Sequence, residues 1–430
     1  MNKLIAICVI AMFMEGCNVI PSSQVASAIS ESSLTDSSIS EEIIVPSPGT
    51  MPDDELIPLN FWGDADVYKV FENYLGVDDL SKITYGMVRS YSNPLSLSVY
   101  SIPPIIGEFQ SVTDLYINGS GKLGAYDLPE SIYGLCSLKK LAIRQVGITE
   151  LSPNIKNLIN LEYLDLYVNR LASLPAELWK LPNLRHLDLQ YNPIILSDEI
   201  IQSNIRILNL AHTSIDYNHK TIENNGEMLL LLGKMPFLER LDYSYNNLKT
   251  IPSNLFDGPN VFPSLVGLDL GRNEIQSISN LIAEFPKLRV LKLDCNPLFE
   301  LELHPTKKVN LIRLSLKNDY MGESQTYPFL FELHQIGSIE QLDLEGCLLT
   351  ELPGEVGIIP NLEALNLLTN NLYSLPESIA IINLLYIDED LKEQLPRPFY
   401  DGNNELIPAI QKQEDAFSDE NLFNKDPLDN

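Results

Sequence analysis

The sequence predicts an α/β solenoid, with short parallel strands on one face and short helices or 3-10 turns on the other, about 11–12 coils in all. Three observations predict it. The pattern L-x-x-L-x-L-x-x-N-x-L recurs over roughly two-thirds of the 430 residues. Its leucines alternate, which is the period of a strand with one buried face. Between the copies the spacing changes to L-P-x-x-L-x-x-L, which is the period of a helix with one apolar face.

The chain opens with MNKLIAICVIAMFMEGC, residues 1–17. Lys3 precedes an apolar run from Leu4 to Met14. Such a run rises about 16 Å as a helix, too short for a bilayer core of about 30 Å. It reads as a signal peptide and not a membrane span. Gly16-Cys17 resembles a bacterial lipoprotein box, in which a Cys after a small residue receives the lipid; Cys17 is the lipidation candidate. Ala26-Ser27-Ala28 offers a rival cleavage site for plain secretion, and an unprocessed cytoplasmic chain stays open as a third reading. Residues 18–60 follow as a tether: ten serines lie within 22–48, and such a segment buries too little apolar surface to offset its ordering entropy.

Residues 61–110 form an amino-terminal capping region. Within it, 64–76 predicts a helix: Asp64 is an N-cap, Val67, Val70, Phe71, Tyr74 and Leu75 share a face, and Gly76 ends it. Leu95, Leu97 and Val99 alternate as a leading strand.

The repeats occupy 111–395. Leu161-Glu-Tyr-Leu164-Asp-Leu166 is followed 23 residues later by Leu184-Arg-His-Leu187-Asp-Leu189. Further copies start at Val112, Leu138, Ile205, Leu238, Leu265, Leu288, Leu311, Ile339 and Leu362, with a degenerate one near Leu384. Each copy closes on a turn. There Asn169, Asn192, Asn246, Asn273, Asn296 and Asn370 supply donors and acceptors for backbone groups of adjacent coils, a structural ladder. Thr213, Asp319 and Cys347 stand in at other turns, and Val146 has no such capacity. Inserts within 216–237, 249–264 and 317–338 fall after the turn, so they leave the sheet intact; Met228 to Leu232 reads as an extra helix. Asp388, Glu389 and Asp390 put charge on the closing strand, which discourages edge pairing. Residues 396–430 are an acidic, structureless tail.

These copies resemble the leucine-rich repeat family, in its 23-residue class. The resemblance implies a curved solenoid with the sheet on the concave face. It also implies a non-enzymatic scaffold that binds proteins or peptides. The runner-up is an intracellular signalling adaptor, and a carbohydrate-binding or enzyme-associated surface protein is the rival of another class.

Composition narrows the function. With 58 acidic and 29 basic residues the formal charge is −29, which excludes binding to nucleic acid or to an anionic membrane surface by charge. Membrane contact is expected only through the lipid anchor. No phosphate-binding glycine loop, H-E-x-x-H or G-x-S-x-G motif is present. The five histidines lack a common face, and no metal, cofactor or catalytic residue is expected.

The concave face remains. The central residue of each L-x-L includes Asp165, Asp188, Asp242 and Asp269, with Tyr163, Tyr167, His186, Tyr191, His212 and Tyr245 beside them. Tyrosine mixed with charge is what interface hot spots favour. Two other readings stay open: the Asp column merely solvates the sheet, or it holds a cation, although no coordination loop surrounds it. The expected binding residues are Tyr163, Asp165, Tyr167, His186, Asp188, Tyr191, His212, Asp242 and Tyr245. The expected state is a monomer with a basic-patched partner.

Overall fold

The computed structural model describes residues 112–118, 128–214, 226–278, 284–298, 309–317 and 328–392. It also describes strands at 57–61, 85–90, 300–301 and 409–411, and residues 106, 107, 110, 395 and 399. The signal segment with Cys17, the 64–76 helix, the 95–99 strand and Asp319 lie outside the described residues. The chain forms two compact units, residues 1–205 and 206–430.

In the first unit six parallel strands pair in chain order: β1 (Ile57–Phe61), β2 (Tyr85–Ser90), β3 (Asp114–Asn118), β4 (Lys140–Arg144), β5 (Tyr163–Asp165) and β6 (His186–Asp188). Leu161, Leu164, Leu166, Leu171, Leu178 and Leu181 of one coil are all buried, so both the strand and the helical half point their apolar residues into one core. The helical halves are 3-10 turns, at Glu130–Gly134, Pro153–Asn157, Leu178–Lys180 and Asp198–Gln202. Each spans no more than five residues, about the length at which 3-10 geometry competes with the α-helix. Buried Trp179 satisfies its indole N–H on Ser197 Oγ at 3.3 Å. Tyr133 accepts from the Ser152 backbone N–H at 3.1 Å, and burial pushes its phenol up to about 12.

The second unit continues the same pattern. Its main sheet holds β7 (Ile207–Asn209), β8 (Arg240–Asp242), β9 (Gly267–Asp269), β11 (Val290–Lys292), β13 (Arg313–Ser315), β14 (Gln341–Asp343), β15 (Ala364–Asn366), β16 (Leu384–Tyr386) and β17 (Ala409–Gln411). A separate two-stranded pair, β10 (Ser277–Ile278) with β12 (Glu300–Leu301), joins successive coils away from that sheet. Helix α1 (Glu227–Leu232) begins after Gly226, which sits at φ 82, and buries Leu229 and Leu232.

Three expectations change. Residues 57–60, read as the end of the tether, belong to β1. The tail contains β17, paired with β16 in the register Leu384↔Ala409. The acidic run Asp388–Asp390 therefore does not guard the last strand; Glu389 and Asp390 start a short helix, Glu389–Lys392, after β16.

Candidate interaction surface on the sheet

Every copy places its central L-x-L residue on the sheet face, and the register sets these residues side by side: Asp165 against Asp188, and Asp242 against Asp269. Their first task is local. Asp165, Asp188, Asp242, Asp269 and Asp343 each accept, through Oδ1, the backbone N–H two residues on, from Tyr167, Gln190, Ser244, Gly271 and Glu345 at 2.8–3.1 Å. Asn209 and Asn366 do the same for Ala211 and Leu368. The column thus caps strand ends in the manner of Asx turns, because the chain bends there and frees an N–H that needs an acceptor. Where Ser315 lacks a carboxylate, Asp294 Oδ1 takes both the Ser315 hydroxyl at 2.5 Å and the Lys317 N–H at 2.9 Å.

The turn itself is demanding. Gln145, Val168, Tyr191, His212, Tyr245, Arg272, Cys295 and Thr369 all lie at φ between 52 and 57. Each immediately precedes a ladder position. Left-handed geometry costs a non-glycine residue about 1–2 kcal/mol, and Val168 and Thr369 are β-branched, so they bear the most. Gly346 fills this position without that cost, at φ 67.

The ladder bonds hold the turn in place. Asn169 Nδ2 donates to the Ile143 and Leu166 carbonyls at 2.6 and 2.7 Å, while its Oδ1 accepts from Gly147 N–H at 2.9 Å. Asn192, Asn246, Asn273, Asn296 and Asn370 repeat the arrangement within their units. Cys347 offers only its thiol, to the Leu316 carbonyl at 3.0 Å.

In the first unit, Asp165 is 1% exposed. Arg144 Nε donates to its Oδ2 at 2.6 Å and Nη2 pairs with the same oxygen, while Tyr163 OH donates to it at 3.2 Å. Asp165 is accordingly not a charge offered to a partner; it fixes Arg144 and Tyr163. Burial opposes the Arg144 charge, but the Asp165 bond and charge outweigh it and hold the guanidinium ionised. Burial, and next Asp165, push the Tyr163 phenol up. Tyr163 packs on His186 with ring centroids 4.4 Å apart, and Tyr167 meets Tyr191 edge-on at 5.6 Å. Tyr191 is 41% exposed. Asp188, half-buried, completes the six residues expected in this unit.

The other three, His212, Asp242 and Tyr245, belong to the second unit. His212 stacks on Tyr245 at 3.8 Å, and the Arg272 guanidinium lies 5.0 Å from the Tyr245 ring. Burial, and next the Arg272 charge, lower His212 to about 4. Burial and the neighbouring Asp242 raise Asp269 well above the carboxylate range, against the pull of Lys292 Nζ at 3.8 Å. Further along, Ala364 and Tyr386 are buried with Leu368 and Leu384 packed on them.

Sequence reasoning missed Arg144 and Arg272, which sit outside the central column it followed. It also missed a second ladder. Asn160, Asn183 and Asn204 donate to the Cys136, Ile159 and Pro182 carbonyls at 2.8–3.2 Å. The signal was visible: a polar residue one place before the first leucine of each of these copies.

Residues 136–194 match the family described as Leucine rich repeat. Over those residues the chain carries leucine-rich repeats. Among solved leucine-rich repeat folds, an internalin from Listeria monocytogenes is 16% identical with a TM-score of 0.52, covering 76% of this chain and 89% of the internalin. A Toll–Spatzle complex from Drosophila is 17% identical with a TM-score of 0.52, covering 82% of this chain and 51% of that one. A leucine-rich repeat protein of Leptospira interrogans is 20% identical, covering 78% of this chain and 97% of that one, with a TM-score of 0.44. The likeness to the first two is one of fold. A search of curated proteins returns no match.

Proposed function

We propose that this leucine-rich repeat chain is a protein- or peptide-binding scaffold, not an enzyme, and that it is exported and anchored through a lipid on Cys17. The observation that carries the binding reading is the Tyr167–Tyr191 pair. Tyr191 projects from a strained turn, is set edge-on against Tyr167 and remains 41% exposed. Large rings held in one geometry lose little entropy when a partner covers them. Tyr163 and His186 extend the aromatic area beside them. The Drosophila neighbour of this fold is a complex with a protein partner. The net charge of −29 favours a partner with a basic patch, whose association slows as salt rises.

Two experiments test this. Pull-down with the full chain, then with Tyr167→Ala/Tyr191→Ala, should show affinity reduced by at least about 2 kcal/mol for the captured partner; undiminished capture by a folded variant refutes the surface. Mass spectrometry of the mature amino terminus and fractionation of Cys17→Ser test the anchor. Wild type found entirely in the soluble fraction refutes it.

A further inference from the structure

A groove of about 1020 Å³ crosses the second unit at the edge where the chain enters its strands, away from the central column. The residue just after the first apolar position of each copy sits at this edge. It is charged in Arg206, Glu239, Glu340 and Glu363, but apolar in Val266 and Ile312, which flank Arg289. Val266 and Ile312 are half-buried and form the apolar floor. Lys287 and Arg289 line the same groove and are exposed. Among the described residues neither pairs with a carboxylate, unlike Arg206, Lys292 and Lys317 in the same unit. Two exposed cations over an apolar floor are notable in a chain of charge −29. At the far end the lining turns acidic, at Glu340.

The groove runs across β9, β11, β13, β14 and β15, four strand spacings or roughly 19 Å, the length of about six extended residues. We propose that this groove binds an extended acidic peptide bearing an apolar side chain, with its carboxylates at Lys287 and Arg289 and the apolar group on Val266 and Ile312. This surface is separate from the Tyr167–Tyr191 pair, so either reading can fail alone.

The test is fluorescence anisotropy with the full chain and a fluorescein-labelled hexapeptide of alternating leucine and aspartate. Saturable binding is expected. Lys287→Glu/Arg289→Glu should weaken it by roughly tenfold or more, and Ile312→Ser should weaken it as well. Lys156→Glu/Lys180→Glu, which changes the net charge equally, and Tyr167→Ala/Tyr191→Ala should leave it unchanged. Any of four results overturns the proposal: no saturable binding, equal binding of a control hexapeptide of alternating leucine and lysine, unchanged binding in a charge-reversed variant of wild-type denaturant midpoint, or equal loss in the Lys156/Lys180 control. Sedimentation adds a fifth. A dimer that Arg289→Glu dissolves would assign the groove to a second copy of this chain.

Discussion

Asp343 and Asn366 lie side by side on β14 and β15, and each accepts the backbone N–H two residues on, at 3.1 Å. The carboxylate and the amide do the same work, yet only one of them carries a charge into the sheet. Burial raises Asp343 to about 7. The folded protein therefore binds more protons here than the unfolded chain does between about pH 4 and pH 7, and stability falls as pH rises through that window. Asp343→Asn keeps the Oδ1 acceptor and discards the charge. It should stabilise the protein at pH 8 by on the order of 1–3 kcal/mol, with a smaller gain at pH 5. Denaturant melts at the two pH values check this; an equal gain at both would show that ionisation is not the source.

His212 should act in the opposite direction. Its folded value, lowered to about 4 by burial and Arg272, means that the unfolded chain binds the extra proton between about pH 4 and pH 6.5. Its contribution is present above the unfolded value and is lost as pH falls through the folded one. Proton NMR of the His212 ring should give a midpoint near 4 in the folded protein, and His212→Phe should flatten the acid limb of stability while keeping the stack on Tyr245. A ring midpoint above 6 would show that burial and Arg272 do not lower this group.

The leucine frame was legible because one spacing serves both halves of each coil: alternation for the strand, three-and-four for the turn. The role of the Asp column was not. A carboxylate at the centre of L-x-L reads equally as solvation, binding or capping, and only the position of its Oδ1 two residues from an N–H separates them. β1 was hidden by Pro58, which reads as a breaker although Ile57, Leu59 and Phe61 alternate around it. β17 lies in a charged tail with no repeat pattern. The binding reading drew His212 and Tyr245 into one patch with Tyr163 and Tyr191 because their positions in the repeat match. The structure describes them in separate units.

The turn ladder predicts an asymmetric loss. Asn192 is 0% exposed and serves the Leu171 N–H and the Leu166 and Leu189 carbonyls. Asn192→Leu leaves all three without that partner and should cost on the order of 1–3 kcal/mol. Cys347→Ser at the equivalent position should change stability by less than about 1 kcal/mol, because a single-hydrogen donor to the Leu316 carbonyl is kept. An Asn192→Leu midpoint equal to wild type would remove the ladder from the account of stability.

Arg144 and Asp165 should behave unequally when each is removed alone. Asp165 is buried, whereas the Arg144 side chain is 42% exposed. Arg144→Leu leaves a buried carboxylate with only the Tyr163 hydroxyl and the Tyr167 N–H. That should cost about 2–3 kcal/mol, toward the low end for a broken buried pair because water reaches the arginine side. Asp165→Asn keeps the acceptor for Tyr167, as Asn209 keeps it for Ala211, and leaves a guanidinium that can turn to water. It should cost less than half as much. In the double variant no charge stays buried, so Arg144→Leu/Asp165→Asn should be more stable than Arg144→Leu alone. A cycle of chemical denaturation over the four proteins measures this directly. If the double variant is the least stable of the four, the pair stabilises the turn by its attraction, and the capping bond to Tyr167 is secondary.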